Sequence, residues 1–278
     1  MTALTAQAPA PGHQPSATGR AILRLHRPAL LVWGVLLVLT IGVLLWLHGF
    51  KADSERQAIA ACLAVPADVC GPGPDTGPFI TRVNNLMNLI GEVITYLPCA
   101  VAAWAGAALI GRELETGTAR LAWTQSLSPT RWLAAKLAVP AAVLAAGTAV
   151  LVLVFNWVWT ADNDLLVTAW YWDRVFIPRG PVAVSLVLCG LAAGALAGLM
   201  LRRTLPALGV AGGFMLAFRL YLYDIWTSIW PANSHTTSAK AHPPADFWPL
   251  NLLATGIVLA ITALTTAAAF WLLRRRTP

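Results

Sequence analysis

The sequence predicts an all-α polytopic membrane protein with six transmembrane helices and both termini in the cytoplasm. Three observations predict it. Only 11% of the 278 residues are charged while 58% are hydrophobic, and soluble domains carry about 25% charged residues. Six segments are long and apolar enough to cross a bilayer, which takes ~20 predominantly apolar residues with the helical backbone satisfying its own hydrogen bonds. Lys and Arg are distributed asymmetrically between the connecting segments, as the positive-inside rule requires. The mean hydropathy of +0.66 agrees. The net charge of +7 comes from basic residues beside apolar runs, so membrane lipid headgroups, and not nucleic acid, are its natural partner.

Residues 1–18 are rich in Ala, Pro, Gln and Ser without an apolar run, the composition of a disordered cytoplasmic tail. Residues 19–278 form the transmembrane domain, with spans at about 29–47, 86–110, 137–159, 181–201, 205–223 and 252–273. Residues 1–18 contain no positive n-region, and no cleavage site follows the first apolar stretch, so that stretch reads as a retained span. Outer segments cover 48–85 and 224–251, and a cytoplasmic segment covers 112–136. Little more than Arg202, Arg203 and Thr204 separates the fourth and fifth spans, so these form an antiparallel hairpin. The proposed inner side carries Arg112, Arg120, Arg131, Lys136, Arg202, Arg203 and Arg274–Arg276, whereas the outer loops are poorer in basic residues. Trp33, Trp46, Trp157, Trp159, Trp248 and Trp271 fall near span ends, where indoles anchor at the headgroups.

Within the spans, Gly190, Gly194 and Gly198 recur every fourth residue, and Gly209 and Gly213 do so in the next span. Small residues at this spacing make smooth faces for close helix packing, a reading preferred over a ligand groove. Pro98 and Pro140 are expected to kink their helices. Cys62 and Cys70 share an outer segment and either form a disulfide or remain two free thiols; Cys99 and Cys189 are small intramembrane fillers. Glu92 and Arg219 fall at similar depth near the outer ends of the second and fifth spans. They are candidates for an interhelical ion pair; Arg219 snorkelling outward or pairing with Asp224, with Glu92 protonated, is the alternative.

Several chemistries are excluded by position. Lys51, Lys136 and Lys240 are preceded by Phe50, Ala135 and Ala239, so none closes a Walker A phosphate loop, which needs Gly before its Lys. No His is followed by Glu, no Ser by Gly, and no Asp is preceded by Gly. These absences remove the zincin motif and the usual intramembrane serine and aspartyl protease motifs. The chain is expected to be non-catalytic, with no metal or cofactor of its own.

The densest pattern lies between the second and third spans. Glu113, Glu115, Thr116, Gly117, Thr118 and Arg120 precede a Trp-bearing stretch, followed by Ser128, Pro129, Arg131, Trp132 and Lys136. Gly117 weakens a continuous helix. Ser128 followed by Pro129 supplies an N-cap and a first-turn proline. The expected form is a short surface helix, a turn, and then a long helix entering the membrane.

This segment resembles the permeases of type-2 ABC (ABC-2) exporters, in which Glu-x-Gly-Thr is followed by Ser-x-x-Arg and a Lys at the start of the next span. The matching residues are Glu115–Thr118, Ser128–Arg131 and Lys136, and the wording is most similar to the compact six-span permeases of high-GC bacteria. Elsewhere the likeness is topological, and residues 20–27 make a shorter amphipathic lead-in than such permeases usually have. The resemblance implies a multi-pass protein of the bacterial cytoplasmic membrane that forms the path for a hydrophobic or amphipathic compound. It also implies two cytoplasmic ATPase subunits carrying ATP and Mg, a second permease copy or a paralogue, and a coupling role for the 112–136 segment. By the same likeness, Glu92 and Arg219 border the translocation path. Weighed against a plain interfacial loop, the ordered motif favours coupling. A membrane anchor or sensor that recruits a cytoplasmic partner, and an ion-coupled secondary transporter, are the alternatives; no internal repeat or mid-bilayer ionisable cluster supports the latter.

Overall fold

The computed structural model describes residues 27–64, 78–119, 123, 128–229 and 244–276. Its long helices are α1 (Arg27–Trp46), α3 (Pro78–Glu115), α4 (Pro129–Ala161), α6 (Val182–Leu201), α7 (Thr204–Ile229) and α8 (Phe247–Arg276), with the shorter α2 (Asp53–Leu63) and α5 (Asp173–Phe176) between them. Six helical stretches are long and apolar enough to cross a membrane, and no described residue is in a strand. The tail at 1–18 and Cys70 lie outside the described residues.

The chain divides into two units at Leu36/Leu37, within α1. The described part of the first unit is the opening of α1, where Leu31, Val32 and Val35 are exposed. The second unit contains the bundle. Helix does not stop at residue 47, as expected, but continues through a π-helical stretch, Leu47–Ala52, into α2. Likewise α7 runs on to Ile229, and α8 begins at Phe247, so helix occupies parts of both segments read as outer connections.

Helix α6 is the centre of the bundle. It is apolar all round, and fifteen of its twenty residues are buried, the signature of a helix surrounded by others. It packs against α3, α8, α7 and α4. The tightest approach is to α3, where a Cβ on Gly194 would stand 2.3 Å from the Ala103 carbonyl oxygen, and one on Gly106 the same distance from that of Leu191. Removing side chains at these crossings lets the two backbones touch. The stripe Gly190–Gly194–Gly198 therefore packs on the second span, not inside the hairpin with the fifth. A Cβ on Gly209 or Gly213 would meet nothing within 4 Å, so among the described residues no helix packs closely on these two glycines of α7.

The hairpin turn is as short as the sequence implies. Arg202 ends α6 in the left-handed region at φ 54°, its N–H donating to the Gly198 carbonyl at 3.0 Å, and α7 begins at Thr204. Helices α3 and α4 run through Pro98 and Pro140 without a break.

Polar staples close the end of the bundle where α3 starts and α4 ends. The Asn84 Oδ1 accepts from the backbone of Val167 and Thr168 and from the Thr168 hydroxyl, at 2.7–3.3 Å. Fully buried Asn251 donates to the Phe176 carbonyl at 3.0 Å. Asp162, also fully buried, is held by Arg56 at 2.7 Å and by His48 at 3.0 Å, which ties the continuation of α1 to the end of α4. Arg56 also binds Asp164 at 2.9 Å, and this hydrogen bond holds the Asp164 carboxyl below the ordinary carboxylate range. Arg179 lies over the Trp159 ring at 3.7 Å, with its acidity raised by burial to a pKa of about 10.

Candidate functional site

The opposite end of the bundle carries the pattern of acids, Thr and Gly that follows the second span. Helix α3 extends to Glu115, so Arg112–Glu115 belong to the second span's own helix and not to a separate surface helix. Gly117 ends it at φ +75°, with open space where a Cβ would be. That is the left-handed conformation a helix C-terminus favours and a glycine adopts without strain. Thr116 closes the turn, with its N–H and hydroxyl donating to the Arg112 carbonyl at 3.0 and 2.9 Å. Its hydroxyl also meets that of Thr118 at 3.0 Å. Thr116, Gly117 and Thr118 are exposed.

Both acids bond to neighbouring helices, Glu113 from a half-buried position and Glu115 from an exposed one. The Glu113 carboxylate accepts from the Trp132 indole N–H at 3.0 Å and from the Lys136 ammonium. Both partners lie on the first turns of α4, four residues apart and therefore on one face. Glu115 accepts from the backbone N–H and the hydroxyl of Thr204, each at 3.3 Å, at the start of α7. A carboxylate there also meets the positive end of the helix dipole. The Trp123 and Trp132 rings meet edge to face, 5.7 Å between centroids. Ser128 caps α4, its hydroxyl accepting from the Arg131 N–H at 3.4 Å, while the Arg131 side chain is exposed. Arg120 lies outside the described residues.

The pairing considered for Glu92 and Arg219 is not formed. Arg219 is buried and paired with Asp173, brought to it by the short helix α5, with the Tyr96 ring 5.6 Å from its guanidinium. Glu92 is exposed on α3, and the Asp224 side chain lies outside the described residues. Cys62 is disulfide-bonded; Cys99 and Cys189 are free. Sequence reasoning missed Thr204 and Asp173 as partners. Trp132 and Lys136 did carry a local signal, their four-residue spacing, whereas Asp173 opens a short helix between two spans, and nothing in its neighbours along the chain points to its partner.

Among the described residues no group of acids, His and Cys is placed to hold a metal ion. Bundle and loop together define a multi-pass α-helical membrane protein with a structured, polar turn at one end. A model of the ABC-2 membrane transporter related family matches residues 33–226, well over half of the chain, and the chain belongs to that family. It is thus a transporter membrane subunit. No curated protein and no solved structure matches it.

Proposed function

We propose that the chain is the permease of a type-2 ABC exporter in the bacterial cytoplasmic membrane, moving a hydrophobic or amphipathic compound on power from a separate ATPase. The observation that carries this reading is the wiring of the 112–136 segment. Its exposed apex, Thr116–Thr118, sits on a helix end tied by Glu113 to α4 and by Glu115 to α7. A push on that apex is passed to three spans at once, which is how closure of an ATPase dimer becomes a rigid-body tilt of helices. Glu113 and Glu115 then act as transmitters inside the permease, and the Thr-Gly-Thr apex is the surface offered to the ATPase. Arg131, exposed at the start of α4, flanks it.

Orientation is supported from two sides. The apex end carries the excess of Arg, as cytoplasmic segments do. The bonded Cys62 lies at the other end, and disulfides persist on the oxidising side of such a membrane. The open face of α7 at Gly209 and Gly213, and exposed Glu92 on α3, are surfaces for a second permease copy or a paralogue and for the path between them. A buried, paired Arg219 acts there as a fixed post beside the path and not as a mobile gate.

Co-expression with a candidate ABC ATPase subunit tests the reading. Thr118→Glu should abolish co-purification of the ATPase while leaving the thermal midpoint of the permease unchanged, since the side chain is exposed. Retention of a fully stimulated ATPase by that variant would refute the coupling role.

A further inference from the structure

A cleft opens beside the coupling turn, between the ends of α6 and α8. Leu114, Leu199, Leu272 and Leu273 form its apolar floor, Trp123 and Gly117 close the side toward the turn, and Arg202 and Arg276 stand at its mouth. Its enclosed volume is about 80 Å³, small enough that an occupant sits only partly inside and continues along the surface of the bundle.

Three features describe its occupant. The first is charge. Arg202 and Arg276 are exposed, as are Arg203, Arg274 and Arg275 around them. Among the described residues none of the five is in an ion pair: Glu113 is taken by Lys136 and Trp132, and Glu115 by Thr204. Arg276 spends one nitrogen on the Leu199 carbonyl at 2.6 Å, which anchors the guanidinium at the cleft and leaves its other donors outward. The second is an unused donor inside the site. The Trp123 indole N–H is shielded from solvent yet has no hydrogen-bond partner, and a buried donor without an acceptor is unfavourable. The third is depth. Trp271, exposed one turn back along α8 with the Arg275 guanidinium 4.0 Å from its ring centroid, places this level at the membrane–water boundary. A ligand here has an anionic, acceptor-rich part at headgroup height and an apolar part running inward.

We infer that this cleft is a binding site for an anionic phospholipid, with its phosphate held between Arg202 and Arg276, its ester oxygens within reach of the Trp123 indole, and its upper acyl chain lying on Leu199, Leu272 and Leu273. Basic pockets between transmembrane helices at the membrane surface take such headgroups. Because Leu114, Gly117 and Trp123 line the same cleft, a bound lipid braces the coupling turn against the C-terminal ends of α6 and α8. The inference concerns binding by this chain alone, so it stands or fails separately from the transport reading.

The test is lipid titration of the purified full-length chain in neutral detergent, followed by native mass spectrometry, with phosphatidylglycerol and phosphatidylcholine of the same acyl chains. Phosphatidylglycerol should be retained preferentially. Arg202→Gly should weaken that preference about fivefold, the size expected of one basic residue at an anionic headgroup surface. Arg276→Gln should do the same, while the double variant Arg274→Gln/Arg275→Gln should leave it within about twofold. Arg202→Gly removes the cation at a φ of 54°, where glycine is at ease, so the fold is not put at risk. If Arg276→Gln lowers the thermal midpoint through its lost hold on Leu199, Arg202→Gly alone decides. Equal loss in the Arg274/Arg275 double variant would mean a diffuse basic collar and no site. Displacement of the lipid by millimolar inorganic phosphate would mean a small-anion site. Unchanged lipid binding with loss of a co-expressed ATPase in Arg202→Gly would give the cleft to the partner protein. Each of these three results overturns the inference.

Discussion

Gly194 and Gly213 look alike in sequence, one member each of a four-residue glycine spacing, yet they differ in what a methyl group would meet. At Gly194 it lands 2.3 Å from a backbone carbonyl on α3, and at Gly213 it meets nothing within 4 Å. Gly194→Ala must push two backbones apart, and overpacking of this kind costs about 1–3 kcal/mol. Gly213→Ala should stay within about 0.5 kcal/mol of the parent. Thermal unfolding of both variants in detergent checks the contrast, and an equal loss at Gly213 would show that α7 is already covered by another copy. The Arg219–Asp173 pair makes a second residue-scale prediction, since the two side chains are only 7% and 14% exposed. Arg219→Met alone takes the guanidinium away from a largely enclosed carboxylate and should lower the unfolding midpoint. Adding Asp173→Asn should recover much of that, as read from the unfolding midpoints of the single and double variants. Asp164 supplies a pH dependence with a definite sign. Its carboxyl is held below the usual range by Arg56, so the stability it contributes is fully present above the unfolded carboxylate pKa of about 3.9 and is lost as pH falls through the lower folded value. Asp164→Asn should lower stability by the same amount at every pH between 7 and 5, and the deficit should shrink only along the acid limb of the unfolding curve.

At the scale of elements, the 112–136 segment shows what local pattern does and does not reveal. Ser128-Pro129 announces the start of α4, and Gly117 announces a break, because capping and a left-handed φ depend on the residue itself. The bonding of Glu113 to α4 and of Glu115 to α7 was not legible, because it depends on where those helices begin in space. Gly117→Ala should cost about 1–2 kcal/mol from the left-handed backbone alone. Glu113→Gln should loosen the junction of α3 with α4, lowering the midpoint and the ATP hydrolysis stimulated by cargo without removing the ATPase. Measuring hydrolysis and co-purification on the same reconstituted sample separates these two effects. The π-helical stretch Leu47–Ala52 was likewise hidden, since Lys51, Asp53, Glu55 and Arg56 read as an exposed loop. Their charges are instead matched within the fold, Arg56 by Asp162 and Asp164, and Lys51 by Glu55.

At the scale of the whole molecule, the proposed orientation places the Thr118 turn inside and the Asp164 turn outside. A membrane-impermeant maleimide applied to intact cells should label Asp164→Cys directly and Thr118→Cys only after permeabilisation. Background is low, because Cys62 is bonded and Cys189 is buried. The reverse pattern would place the coupling turn on the wrong side of the membrane and end the exporter reading. The same molecule-wide view explains why α6 is the most apolar and most enclosed span. It is wrapped by four other helices, whereas α1, α7 and α8 each keep apolar residues such as Val38, Leu205 and Leu264 exposed, as lipid or a second subunit requires.

Six spans, the hairpin at Arg202-Arg203 and the family wording at Glu115–Thr118 were all determined by the sequence alone. Hydrophobic length, turn chemistry and a short motif are local properties, and each is complete within a few neighbouring residues. Only the tertiary structure decided which helix the Gly190–Gly194–Gly198 stripe touches, that Arg219 pairs with Asp173 and not Glu92, and that Glu113 and Glu115 bond to the starts of α4 and α7. Those outcomes depend on distances between segments far apart along the chain, and in an apolar bundle many pairings of equal hydropathy compete until packing selects one.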